Sequence, residues 1–249
     1  WHNTAVAFIN YKHDSSFGAE ERDGENKYMS LGLTAINICK SYNGKPVLKD
    51  CSVSFDSAGI YILMGPNGSG KSTFLRICAL LENPDEGEIK YFSGNNILKR
   101  DIELKRRITL VLPSIGVFNT TVFKNAAYGL KVRGMGHYEI EKKVNTALEF
   151  VGLAHKKNHN ALTLSSGEAQ RLGIARVMVI EPEALFLDEP TASVDQENTE
   201  IIERIILNMK GKNGSTVIIA THDISQAERL GGRVLIIQDG KIVDRKMQF

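Results

Sequence analysis

No apolar run in this 249-residue sequence is long enough to cross a bilayer, which takes about 20 residues in a helix. Any work at a membrane would therefore go through a partner. An excess of one charge is missing too: 31 Lys and Arg face 29 Asp and Glu, for a net charge of +2. No global field draws such a chain to nucleic acid, and no nucleic-acid partner is expected. Cysteine is scarce, with Cys39, Cys51 and Cys78 far apart. Their spacing fits no metal pattern, an odd count suits a reducing compartment, and small buried hydrophobes is the simplest reading. Internal repeats and low-complexity tracts are absent. What is present is 42% hydrophobic residues, enough core for one large domain or two small ones.

The stretch Gly65-Pro66-Asn67-Gly68-Ser69-Gly70-Lys71-Ser72-Thr73 fits G-x-x-x-x-G-K-[ST] at every fixed position. An apolar run at 60–64 reads as a buried strand before it, and an apolar-periodic run at 73–81 as a helix after it. That context is what a phosphate-binding loop needs. Glycines let backbone N–H groups converge on an anion, and the positive end of the next helix faces the same point. Lys71 can then reach β- and γ-phosphates, and the Ser72 hydroxyl can ligate Mg²⁺.

Before the loop, residues 1–30 are polar, acid-leaning and without periodicity, and read as a disordered or non-native arm, with Met29 as a natural start. Residues 33–39 and 47–55 alternate as half-buried strands, with Tyr42 in the turn between them. After the loop, 83–87 reads as a turn, 88–92 as a short strand, and 108–112 as a buried strand stopped by Pro113. From 122 to about 151 the pattern is helical, and a helix capped by Ser165 or Ser166 runs to about Val179. Strand and helix then alternate: strands at 184–187, 217–220 and 233–237, helices at 199–209 and 225–230. An Asp239-Gly240 hairpin leads into Ile242 and Val243. Buried strands broken by helices predict an α/β fold, a doubly wound, mostly parallel sheet with a helical subdomain inserted at about 114–165 of a domain spanning 31–249.

Three further stretches carry chemistry. Asp188 and Glu189 end the buried strand at 184–187. The first acid at such a strand end holds Mg²⁺ and the second can polarise an attacking water. Ser165-Ser166-Gly167-Glu168 opens a helix, and a helix N-terminus with Ser hydroxyls and a flexible glycine is a second anion-binding device. Alone it is an ordinary N-cap. Beside a phosphate loop it is surplus to one ATP, and so is available to the ATP of a partner. His222 closes the strand at 217–220, where it can donate to a γ-phosphate.

Together these motifs make residues 33–243 resemble the nucleotide-binding subunit of an ATP-binding-cassette (ABC) transporter. The resemblance implies a P-loop cassette with a RecA-like core sheet, an antiparallel β subdomain and a helical insertion. It implies a Mg²⁺-dependent ATPase working as a head-to-tail pair, with each ATP between the phosphate loop of one copy and Ser165, Ser166, Gly167 and Glu168 of the other. By position Tyr42 would stack on adenine and Lys71 and Ser72 would hold phosphates and Mg²⁺. Asp188 would hold the metal's water, Glu189 would be the base, Asp195 would cross the interface and His222 would sense the γ-phosphate. Transmembrane permease subunits and, indirectly, an extracytoplasmic solute-binding protein would be the other partners, with this chain at the cytoplasmic face of the plasma membrane.

Two positions depart from the family pattern: Ser166 stands where a glycine is usual, and Pro113 stands where a metal-contacting glutamine is usual. Proline brings neither a side-chain oxygen nor a backbone donor. The stretches 128–134 and 222–230 resemble importer cassettes of the tungstate type, with phosphate and molybdate importers close behind. With little sequence after Val243, no appended regulatory domain is expected. A soluble ABC ATPase is the other class. A repair ATPase would carry a long coiled-coil insertion and a translation factor a second cassette, and neither is present. Pro113 favours a non-hydrolysing regulatory cassette, while intact Lys71, Asp188, Glu189 and His222 oppose it. A small GTPase lacks support, because there is no N-K-x-D stretch.

Overall fold

The computed structural model describes residues 31–244 apart from positions 57 and 193; the arm expected at 1–30 lies outside the described residues. In chain order the elements are β1 (Leu31–Tyr42), β2 (Lys45–Phe55), β3 (Gly59–Met64), α1 (Lys71–Cys78), β4 (Glu86–Ser93), β5 (Asn96–Ile97), α2 (Ile102–Arg106) and β6 (Ile108–Val111). There follow α3 (Val122–Val132), α4 (His137–Phe150), α5 (Ser166–Ile180), β7 (Ala184–Asp188), α6 (Gln196–Asn213), β8 (Thr216–Thr221), α7 (Ile224–Leu230), β9 (Arg233–Gln238) and β10 (Lys241–Asp244). No helix among the described residues is long and apolar enough to cross a membrane.

The strands form two sheets. One is antiparallel, in the order β2-β1-β4-β5; the other runs β10-β9-β3-β8-β7-β6, parallel except for β10. This is the expected P-loop cassette, a parallel core with an antiparallel partner sheet. The apolar runs sit at its centre because a parallel strand is covered on both faces. Side chains of β7 alternate accordingly. Leu185 and Leu187 enter the core shared with the helices, and Phe186 enters the core shared with α1 and the antiparallel sheet. Helix α1 is held in that second core from its end as well, where the buried Tyr91 hydroxyl of β4 donates to Cys78 O at 2.6 Å.

Several boundaries move, each for a local reason. β1 continues through Tyr42, because Asn43 and Gly44 (φ 49° and 75°) make a two-residue hairpin turn to β2. α1 starts two residues earlier than the apolar pattern does and stops at Cys78, since Leu80 takes φ 58° and cannot extend it. β6 ends at Val111, one residue short of the expectation. α6 begins at Gln196 instead of Thr199, because Asp195 caps it. The helical run from Val122 divides into α3 and α4 around Gly134 (φ 75°).

The segment after β6 is tied to α5. Arg176, 1% exposed, donates from one guanidinium nitrogen to Gly116 O at 2.7 Å and from another to Asn125 Oδ1, and lies over the Phe118 ring. Burial pulls its pKa down to about 10. Pro113 itself is exposed in a bend just after β6.

Candidate nucleotide site

The loop between β3 and α1 needs glycine at Gly65 and Gly70 for want of room and at Gly68 for its φ of 79°. A Cβ on Gly65 would lie 2.3 Å from Ile237 O. Gly70 takes φ 103° and a Cβ there would lie 2.8 Å from Leu48 Cδ2. Gly70 is the N-cap of α1 and supplies no side-chain hydrogen bond, so the first N–H groups of the helix remain to be met by something else. Ser69 Oγ is buried within the loop without a partner. Lys71, nearly fully buried, donates to Gly65 O at 2.8 Å and Pro66 O at 3.2 Å, and lies 3.6 Å from Glu189 Oε1. Asn67 and Gly68 form the outer turn, and Thr73 is buried in the first turn of α1.

The ends of β7 and β8 bring the other groups to this loop, as expected at the carboxyl ends of parallel strands. Asp188 is 3% exposed and the Ser72 hydroxyl bonds to its carboxylate. Burial raises its pKa, and the Ser72 hydrogen bond works against that rise. Its Oδ1 is buried with no hydrogen-bond partner. A hydroxyl beside an orphaned carboxylate oxygen is a hard oxygen set that fits Mg²⁺, which takes one or two protein ligands and completes its shell with phosphate and water. No cluster of three His, Cys, Asp or Glu suited to a metal occurs among the described residues.

Glu189 adopts φ 48°, a left-handed backbone that costs a side-chain-bearing residue about 1–2 kcal/mol. The twist turns its carboxylate toward Lys71 on one side and His222 on the other. Glu189 Oε2 lies 2.9 Å from His222 Nδ1. A carboxylate only accepts, so the ring nitrogen is the donor.

The remaining candidates lie away from this cluster. Tyr42 donates to Glu82 Oε1 at 2.5 Å and accepts from Arg76 of α1 at 3.5 Å, which fixes its half-exposed ring beside that helix. Ser165 is the cap of α5: it accepts from Glu168 N at 3.3 Å while Glu168 Oε2 accepts from Ser165 N at 3.0 Å. Ser166 is therefore the first helical residue. The Lys156 ammonium, 2.6 Å from Glu168 Oε1, is the main cause of a lowered Glu168 pKa. Gly167 lies against α6, where a Cβ would come within 2.7 Å of Asn198 Nδ2. Asn198 donates from its backbone and side chain to Asp195 Oδ1, and the backbone bond leads in lowering the Asp195 pKa. So Ser165–Glu168 and Asp195 form one unit around Asn198, with no hydrogen bond to the phosphate loop among those described. Sequence reasoning passed over Asn198, Gln170 and Gln226. A buried polar side chain on a helix carries no local pattern that separates it from an exposed one.

A glycine loop, its lysine and two acids at the head of a parallel sheet define a phosphate-loop nucleotide-binding protein. A family model described as ABC transporter matches residues 48–192, and the chain belongs to that family. It is 39% identical over 212 residues to the tungstate uptake system ATP-binding protein TupC of Peptoclostridium acidaminophilum, covering 85% of this chain and 97% of that one. It is 34% identical over 239 residues to the phosphate import ATP-binding protein PstB 2 of Natronomonas pharaonis, covering 91% and 84%. Among solved structures it is similar to a dimeric bacterial ABC transporter cassette, with a TM-score of 0.75 and 28% identity over 86% of this chain and 97% of the other. The chain is thus an ATP-binding, ATP-hydrolysing cassette.

Proposed function

We propose that this chain is the ATPase subunit of an ABC importer for a small oxyanion, tungstate foremost. It would act as a head-to-tail pair bound to membrane permease subunits at the cytoplasmic face, with a solute-binding protein delivering the oxyanion from outside. The convergence of Lys71, Ser72, Asp188, Glu189 and His222 at the ends of β3, β7 and β8 carries the ATPase part of this reading. The names of the tungstate and phosphate relatives support the oxyanion.

The loop N–H groups and Lys71 would neutralise the β- and γ-phosphates, with Lys71 exchanging its carbonyl partners for phosphate oxygens. Ser72 and Asp188 would hold Mg²⁺, which when bound offsets charge on the transferred phosphoryl group. Glu189 would accept the proton of the attacking water, and His222 would keep the carboxylate pointed at it through its Nδ1–H. Ser165, Ser166 and Gly167 would close on the ATP of the second copy through the N-terminus of α5, and Asp195 would face the same interface.

Glu189→Gln preserves shape and removes the base. ATP hydrolysis should fall by about 10²–10⁴-fold while ATP with Mg²⁺ drives the variant into a dimer on gel filtration. Wild-type turnover in this variant would exclude Glu189 as the base. For the solute, proteoliposomes holding the chain with its permease should take up tungstate in preference to phosphate. Uptake without that preference would leave the importer and remove the tungstate reading.

A further inference from the structure

Directly after β7 the chain turns through residues 189–192, and the left-handed backbone of Glu189 at its start needs outside support. Four hydrogen bonds provide it. Glu189 N donates to Ala220 O on β8 at 2.9 Å, and Ala192 N donates to Glu189 O at 3.1 Å. The other two come from buried glutamines on separate helices. Gln170 of α5, 5% exposed, donates from Nε2 to Pro190 O at 2.8 Å. Gln226 of α7, fully buried, donates from Nε2 to Thr191 Oγ1 at 2.8 Å.

The two helices start at different places. α5 opens at Ser165–Glu168, and α7 follows directly on His222. Gln170 lies only five residues beyond the Ser165 cap, so it moves as one body with the N-terminus of α5. Pro190 has no N–H, and its carbonyl is the one backbone hydrogen-bonding group it can offer. A carbonyl buried there without its donor would free the Pro190–Thr191 peptide, one residue beyond Glu189, to rotate.

We infer that Gln170 is a positioning residue: its bond to the Pro190 carbonyl ties the seating of α5 to the orientation of Glu189. The helix that meets the ATP of the second copy thereby sets the base that acts on the chain's own ATP. This inference rests on the roles proposed above for Glu189 and for Ser165–Glu168. It accounts for a feature those roles leave unexplained, a buried glutamine amide spent on a proline carbonyl next to the base.

The test uses the full chain and Gln170→Met, which keeps length and apolar stem and removes the donor. The kcat for ATP should fall about tenfold with KM within about twofold. In the Glu189→Gln background, adding Gln170→Met should leave unchanged the ATP concentration that half-saturates dimer formation. A wild-type kcat in Gln170→Met overturns the inference. So does a parallel loss of dimerisation, because the glutamine would then merely hold up α5. If circular dichroism shows Gln170→Met to be unfolded, Gln170→Leu replaces it, with the same losses expected and the same results overturning the inference. Full hydrolysis by Glu189→Gln alone would bring down the role of Glu189 and this link together. An inactive Glu189→Gln beside an active Gln170→Met would remove the link alone.

Discussion

Lys71 is the cation of the phosphate loop, and its ammonium is already placed among carbonyls and a carboxylate. Lys71→Ala should reduce ATP hydrolysis by at least about 10²-fold, the usual loss when a preorganised charge partner is removed, and circular dichroism should show the fold intact. Tyr91 is a second single-residue case, on the structural side. Its hydroxyl satisfies the last carbonyl of α1 inside the core. Tyr91→Phe should cost about 1–2 kcal/mol in urea unfolding, because the Cys78 carbonyl stays buried and loses its donor. The roles of such residues differ in how visible they are in the sequence. Lys71, Asp188 and Glu189 sit in short fixed patterns that follow apolar strands. Tyr91, Gln170 and Asn198 make contacts across 13 to 31 positions of chain, and no local signal announces which distant group will meet them.

Helix α5 is started by a reciprocal cap, and the cap is open to measurement. Ser165→Ala should lower stability by about 1 kcal/mol, equivalent to about 2–4 °C in Tm for a domain of this size. The Glu168 half of the cap adds a pH dependence. Lys156 holds the Glu168 pKa below the ordinary carboxylate value, so its share of stability is complete above about pH 4 and disappears as pH falls through the lowered value. The stability gap between wild type and Glu168→Ala should therefore narrow in acid; a gap constant from about pH 7 to about pH 3 would remove the ion pair from the account. At the end of β6, a proline at 113 would stiffen the joint with the helical layer by fixing its own φ, while Arg176 and Asn125 hold the next few residues to α5 and α3. Pro113→Gln should raise ATPase activity or its stimulation by the assembled transporter. Equal rates in both would make the proline neutral. Element type could be read from period and punctuation, as β3, β7, β8 and α5 illustrate. Element ends could not, because they were decided by single backbone angles at Leu80 and by the side-chain cap of Asp195.

At the scale of the molecule, two cores sit on opposite faces of one parallel sheet, and β7 contributes alternate residues to each. Phe186→Ala should cost about 3–5 kcal/mol, the usual loss for a buried phenylalanine. A mostly parallel sheet covered on both faces was legible from strand and helix alternation. The order of the strands was not, since period says nothing about which strand lies beside which. That order has a consequence for how the protein is made. β3, which leads into the phosphate loop, pairs Ile62 with Ile219 of β8 and with Val234 of β9. Both neighbours leave the ribosome more than 150 residues after it. Pairings this remote in sequence are slow to close, so the strand beneath the phosphate loop must wait until β8 and β9 have been synthesised. A nascent chain halted before β8 should fail to retain ATP-agarose, while one released after β10 should bind. An unfinished polypeptide would thus be unable to sequester nucleotide.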